Sequence, residues 1–215
     1  MNPENIRYAD PFTEIVKTAN RLPHWEQDGR TYFMTFRLGD SVPAELLTRW
    51  TAERDTWLQH HPKPWSAETE NEYHERFTHA MERWLDLGHG ECLLRDPANA
   101  EIVAGALRFF DGSRVTQIAW VVMPNHVHVL FTLHSGWTLE EISTSWKTFT
   151  AREIHKRLGR QGHLWMRDYH DRLIRNPKHL ENCILYIRNN PANLRPREYL
   201  HYESALAKSI TTPES

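Results

Sequence analysis

The chain has 215 residues, 40% of them hydrophobic and 25% charged, with a net charge of −2 at pH 7. That is long enough to bury a core without metal or disulfide staples; no stretch reaches the roughly 18 apolar residues of a membrane span. The N-terminal MNPENIRYAD lacks the basic and apolar regions of a signal peptide. Cys92 and Cys183 form no CxxC pair, so a disulfide framework or cysteine-rich zinc site is not expected, and a cytoplasmic location is. Charge is unevenly spread: residues 1–136 carry 13 Lys+Arg against 19 Asp+Glu, and residues 137–200 carry 12 against 7. The basic second half is where a phosphate backbone would sit.

In chain order, residues 1–30 are polar and broken by Pro11 and Pro23, and read as a lead-in with a short helix near Phe12–Thr18. Thr31–Leu38 alternates aromatic and β-branched residues, which predicts a strand. Val42–His61 and Ser66–Gly88 carry apolar residues at helical spacing, with Ser41 and Ser66 as caps. Residues 41–90 are therefore expected to form an inserted helical lobe, its Trp residues serving as core. Ala98–Phe110 predicts another helix. Val115–Met123 and Val127–Leu133 are apolar β runs with a turn at Pro124, which cannot donate to a sheet ladder.

Thr138–Leu158 is amphipathic, and Thr138 with Glu141 three residues on makes a capping-box pattern. Leu164–Arg175 predicts a strand and Lys178–Asn190 a last helix closed by Pro191. The final fifteen residues are expected to fray. The hairpin at 115–133 excludes a purely parallel sheet, so the order predicts an α+β fold with an antiparallel sheet covered by helices.

Two constellations carry chemistry. His126 and His128 are two apart on a strand, so both imidazoles point to one face, where neutral rings can hold a divalent cation. The strand around them is apolar, so two polar rings buried on it need partners. His134 and His163 read as surface residues. Tyr186 and Asn190 are one helical turn apart and share a face. Alone, a helix tyrosine is ordinarily packing, and Asn190 before Pro191 a helix stop.

Seven collinear segments join the two. Arg21-Leu-Pro-His-Trp25, Thr31–Leu38, Gly90-Glu-Cys-Leu-Leu94, Trp120-Val-Val-Met-Pro-Asn-His-Val-His-Val-Leu130, Ser145-Trp-Lys147, Trp165-Met-Arg-Asp-Tyr169 and Tyr186-Ile-Arg-Asn-Asn-Pro191 resemble the REP-associated tyrosine transposases. These are relatives of the IS200-type enzymes in the single-tyrosine HUH group, and the likeness runs from about residue 21 to about 195. It implies one HUH transposase domain over 1–215, with a ferredoxin-like or RRM-like fold interrupted by the 41–90 lobe. It also implies Tyr186 as nucleophile, His126, His128 and Asn190 as ligands to Mg²⁺ or Mn²⁺, and a 5′-phosphotyrosine intermediate on single-stranded DNA bearing hairpin (REP-like) elements. Candidate DNA contacts are Lys147, Arg152, Arg167, Arg172, Arg175 and Arg188, with Trp165 or Trp137 as a stacking surface. Monomer and dimer both fit.

Three competing readings stand beside this one. A histidine-triad hydrolase needs a third histidine where Leu130 stands. Tyr169 is a rival nucleophile with no amide at i+4. A non-catalytic DNA-binding regulator would keep the same fold.

Overall fold

A computed structural model describes residues 6–10, 12, 13, 16–19, 23–62 and 65–212. Its elements are β1 (Val16–Ala19), β2 (Pro23–Glu26), β3 (Thr31–Arg37), α1 (Ala44–His60), α2 (Ala67–Tyr73), a π turn (His74–Thr78) and α3 (His79–Asp86). Next come α4 (Pro97–Phe109), β4 (Val115–Val122), β5 (His126–Leu133), α5 (Leu139–Leu158), β6 (His170–Leu173), α6 (Pro177–Asn189), β7 (Leu200–Glu203) and α7 (Ala205–Thr211). The main sheet runs β6-β3-β5-β4-β7, and every neighbouring pair is antiparallel. With α4 and α5 this is a β-α-β-β-α-β plan to which β7 adds an edge strand. The expected α+β class is therefore the observed one, with the lobe leaving the chain between β3 and α4.

Period-two alternation divides the central strands between two faces. Tyr32, Met34 and Phe36 of β3, with Val127, Val129 and Phe131 of β5, pack beneath α4 and α5 against Leu107, Ile142 and Trp146. Phe33 and Leu130, with Val121 of β4, face the other way, onto Leu180, Ile184 and Ile187 of α6. Each such Leu or Ile, fully buried, contributes about 1.5–3 kcal/mol from apolar burial. Both faces are covered, so β4 and β5 read as nearly continuous apolar runs.

Local chemistry sets the helix ends. Asp96 accepts from Ala98 N–H with Pro97 at the first position of α4. The predicted capping box of α5 is present in full. Gly90 has φ +85°, and a Cβ there would lie 2.6 Å from Asp40, whose carboxylate accepts the Glu91 N–H; only glycine fits this join between lobe and sheet. Within the lobe, Trp57 is buried and stacks on His61 with centroids 4.0 Å apart, and Trp50 donates its indole N–H to Phe77 O.

Several boundaries differ from the sequence reading. Ser66 caps α2 by accepting from Thr69 N–H, but Ser41 donates to Leu38 O and caps nothing; Pro43 precedes α1. Of the predicted Phe12–Thr18 helix, Glu14 and Ile15 lie outside the described residues, and Val16–Thr18 pairs with β2 instead. The predicted strand Leu164–Arg175 shrinks to His170–Leu173, the run in continuous register with β3, while Trp165 makes only an isolated bridge to Leu38. The supposedly frayed tail supplies β7 and α7, the latter capped by Ser204; residues 213–215 lie outside the described residues.

Candidate active site

β5 places His126 and His128 on the face covered by α6, and both rings are buried. Their centroids are 4.7 Å apart at 75°. Across the strand pair, Thr35 stands opposite His128 and Arg37 opposite His126. Thr35 Oγ1 lies 2.7 Å from His128 Nδ1, and Phe33 stacks on the same ring at 5.4 Å. α6 brings Tyr186 over this face: its hydroxyl is 3.5 Å from His128 Nε2, and the two rings meet edge to face at 5.1 Å.

Hydrogen bonding fixes the His126 tautomer. Asn125 donates from Nδ2 to Leu85 O (3.2 Å) and His89 O (3.1 Å), so its Oδ1 turns to His126 Nδ1, 2.8 Å away. An amide oxygen only accepts, so Nδ1 carries the proton and Nε2 presents a lone pair. Among the described residues, that Nε2 is buried without a hydrogen-bond partner, as is Asn190 Oδ1. Asn190 in turn donates from Nδ2 to Asp86 Oδ1 at 3.4 Å, which points its oxygen inward. Desolvation depresses the pKa of His126 to about 3, with the Asn190 amide opposing, and holds His128 well below the ordinary value. Two buried acceptor atoms on neutral groups, both lacking donors, form the environment a cation would satisfy.

The tyrosine is held the opposite way. Burial, reinforced by the carboxylates of Glu82 and Asp86, raises the Tyr186 pKa, while Arg172 works against them. Arg172 lies 4.8 Å above the Phe33 ring and 3.4 Å from Glu82. Burial also raises the pKa of both carboxyls. Glu82 and Asp86 are one turn apart on α3, facing Tyr186 of α6 and the amide of Asn190 that caps its C-terminus.

The structure thus brings Tyr186, His126, His128 and Asn190 together, with Arg172 beside them. Other candidates are placed elsewhere. Trp165 is a correction: it is buried in the core on the α5 side, its indole N–H donated to Thr150 Oγ1 and its ring edge-on to Phe36 at 4.9 Å, so it offers no face to a base. Trp137 is half-buried beneath the Arg114 guanidinium, 4.0 Å away.

Lys147 and Arg152 lie on α5, across the sheet from the histidines; Lys147 bonds to Arg167 O and Arg152 to Glu153. Arg188 forms a bidentate pair with Glu203, both contacts 2.7 Å. Arg167 and Arg175 are exposed. Tyr169 is buried on the α5 face and Leu130 packs beneath α6. Sequence reasoning missed Thr35, Asn125, Glu82 and Asp86. Asn125 was legible as a polar neighbour of His126 in an apolar run, but no local signal placed the two lobe carboxylates here.

The fold and site define an antiparallel α+β protein in which two strand histidines face a helix-borne tyrosine and amide. Residues 96–190 match the model of the family described as "Transposase IS200 like". The matched segment runs from the cap of α4 through all four of these residues, so the likeness to that family includes the whole site. A solved structure titled "Structure of the REP associates tyrosine transposase bound to a REP hairpin" is similar over 81% of this chain and 74% of that one, with 16% identity and a TM-score of 0.43. No curated protein matches. Among the described residues, no group of three or more His, Cys, Asp or Glu is placed to hold a metal, and no helix is long and apolar enough to cross a membrane.

Proposed function

We propose that this chain cuts and rejoins single-stranded DNA carrying hairpin elements, with Tyr186 as nucleophile and a divalent cation, Mg²⁺ or Mn²⁺, held by His126, His128 and Asn190. The observation that carries the reading is the approach of Tyr186 Oη to His128 Nε2 at 3.5 Å, beside two buried acceptors without partners. The donor set is two imidazoles and an amide oxygen, which suits a divalent ion and leaves positions open for phosphate oxygens. When bound, the ion supplies charge neutralisation at the non-bridging oxygens of the scissile phosphate.

The protein's own residues do the rest. Two neutral histidines add no positive charge of their own, which leaves Arg172 as the neighbouring cation before an ion enters. With the His128 proton on Nδ1 and given to Thr35, Nε2 turns its lone pair toward Tyr186. Attack forms a bond from Tyr186 Oη to phosphorus as the bond to the 3′-oxygen breaks, leaving a 5′-phosphotyrosine and, after protonation, a 3′-hydroxyl. The raised Tyr186 pKa means the phenol arrives protonated, and its proton passes to a carboxylate; Glu82, itself made more basic by burial, faces it. A 3′-hydroxyl attacking the phosphotyrosine reverses these steps and rejoins the strand without an energy cofactor.

The test is incubation with an end-labelled DNA hairpin bearing single-stranded flanks, plus Mn²⁺, read as a covalent protein–DNA adduct on a denaturing gel. Wild type should form the adduct and Tyr186→Phe should not. An adduct with Tyr186→Phe, or none with wild type, would sink the mechanism. DNA binding without an adduct would favour the non-catalytic regulator.

A further inference from the structure

A cleft of about 460 Å³ lies between the lobe and the sheet edge, within the range of small-molecule sites. Thr35 and Arg37 of β3 and Asp168 line one wall, and Trp50, Tyr73 and Phe77 of the lobe line the other. The cleft adjoins the active site directly, because Thr35 also holds His128 and Arg37 stands opposite His126 across the β3–β5 pair. Directly opposed residues of such a pair have Cβ atoms about 4.5–5.5 Å apart.

Charge in the cleft is mostly spoken for: Arg54 binds Asp55 at 2.6 Å and Glu82 lies against Arg172. Arg37 differs. It is 9% exposed, and among the described residues its guanidinium gives one hydrogen bond, from Nη1 to Ser41 Oγ at 3.1 Å. Burial lowers its pKa to about 10, and Asp168 offsets this only through space. A guanidinium carries five N–H donors, so most of its capacity remains for a ligand presenting acceptors, while Asp168 suits the donors on such a ligand. Aromatic walls, a donor, an acceptor and a neighbouring phosphate site describe one occupant.

We propose that this cleft takes an unpaired nucleobase of the DNA strand, from the nucleotide adjoining the scissile phosphate. The base edge meets Arg37 and Asp168, and its ring packs against the aromatics of the lobe. The inference rests on the DNA-cleaving reading above and assigns the lobe a role in choosing the cleavage position.

The test measures equilibrium binding by fluorescence anisotropy, using the full chain with Tyr186→Phe so that the strand stays intact. The probes are a labelled DNA hairpin with mixed-sequence flanks and the same DNA with an abasic site at each flank position in turn. One abasic position should weaken binding about 10- to 100-fold, the scale of a lost stacked base. Thr51→Trp, which adds bulk inside the cleft without removing core, should weaken the intact probe about tenfold and be indifferent to that abasic site. Arg37→Lys should retain more affinity than Arg37→Met, with thermal melts showing both folded. Equal effects at all abasic positions, or intact-probe binding unchanged by Thr51→Trp, would overturn the subsite while leaving the cleavage reading standing. Absence of any DNA binding would sink both.

Discussion

Asn190 is the residue whose orientation decides whether the candidate site can hold a cation. Were the amide reversed, its oxygen would face the Asp86 carboxylate and its NH₂ would fill the space beside His126 Nε2. Asp86 prevents this by accepting from Nδ2. Asp86→Ala is therefore expected to lower Mn²⁺ affinity about 10-fold or more, as loss of an outer-shell partner does, while Asp86→Asn, which can still accept, should lose less. Titration calorimetry with Mn²⁺ reads both. If Asp86→Ala binds Mn²⁺ as wild type does, Asp86 does not position the amide. At this scale the sequence was only half legible. Spacing put the histidines on one strand face and Tyr186 with Asn190 on one helix face, but only the folded chain shows the two faces meeting. The carboxylates opposite come from a segment a hundred residues earlier, where Glu82 and Asp86 look like any solvated helix charges.

Among the elements, α6 has the most to position, since it carries Tyr186 and ends on Asn190 as its C-cap. Its apolar side seats it on the sheet, and Arg188 ties it to β7 through the bidentate pair with Glu203. Arg188 holds the Glu203 carboxyl pKa below its ordinary value. A carboxyl depressed in the fold stabilises it above the unfolded pKa, and that contribution is lost as pH falls through the folded value. Urea midpoints should therefore fall as pH drops below about 4.3, the free Glu value, and Glu203→Gln should fall less steeply over the same range. Parallel curves would show that the pair does not couple to folding.

This tie also shows why the tail was misread: residues 200–211 carry too few apolar positions to announce a strand and a helix, and they are ordered by the β4 edge they pair with. Long periodic elements such as α5 were legible with their caps. Leu164–Arg175 was not, because a β-like composition there served a buried Trp165 and only four ladder residues.

For the molecule as a whole, the sheet separates two jobs. The α4–α5 face is a mostly apolar core in which the buried polar groups of Trp165 and Thr150 are paired with one another, whereas the α6 face gives up part of its apolar surface to two desolvated imidazoles and an amide oxygen with no donor among the described residues. Burying polar acceptors without partners costs stability, of order 1–3 kcal/mol each, so the metal-free fold carries a penalty at the site that a bound ion would relieve. An ion that binds only the folded state stabilises it by RT ln(1 + [L]/Kd), about 2.7 kcal/mol at 100 times Kd. For a chain of this size, that corresponds to a rise in Tm of roughly 5–10 °C.

Mn²⁺ is therefore expected to raise the melting temperature of wild type by that amount at saturating concentration. The His126→Ala, His128→Ala double variant should melt at the same temperature with and without it. Differential scanning calorimetry distinguishes a site-bound ion from a diffuse one, because Mn²⁺ scattered over surface carboxylates would shift both proteins equally. An equal shift would remove the metal from the mechanism, leaving Tyr186 and the lobe carboxylates to account for any cleavage.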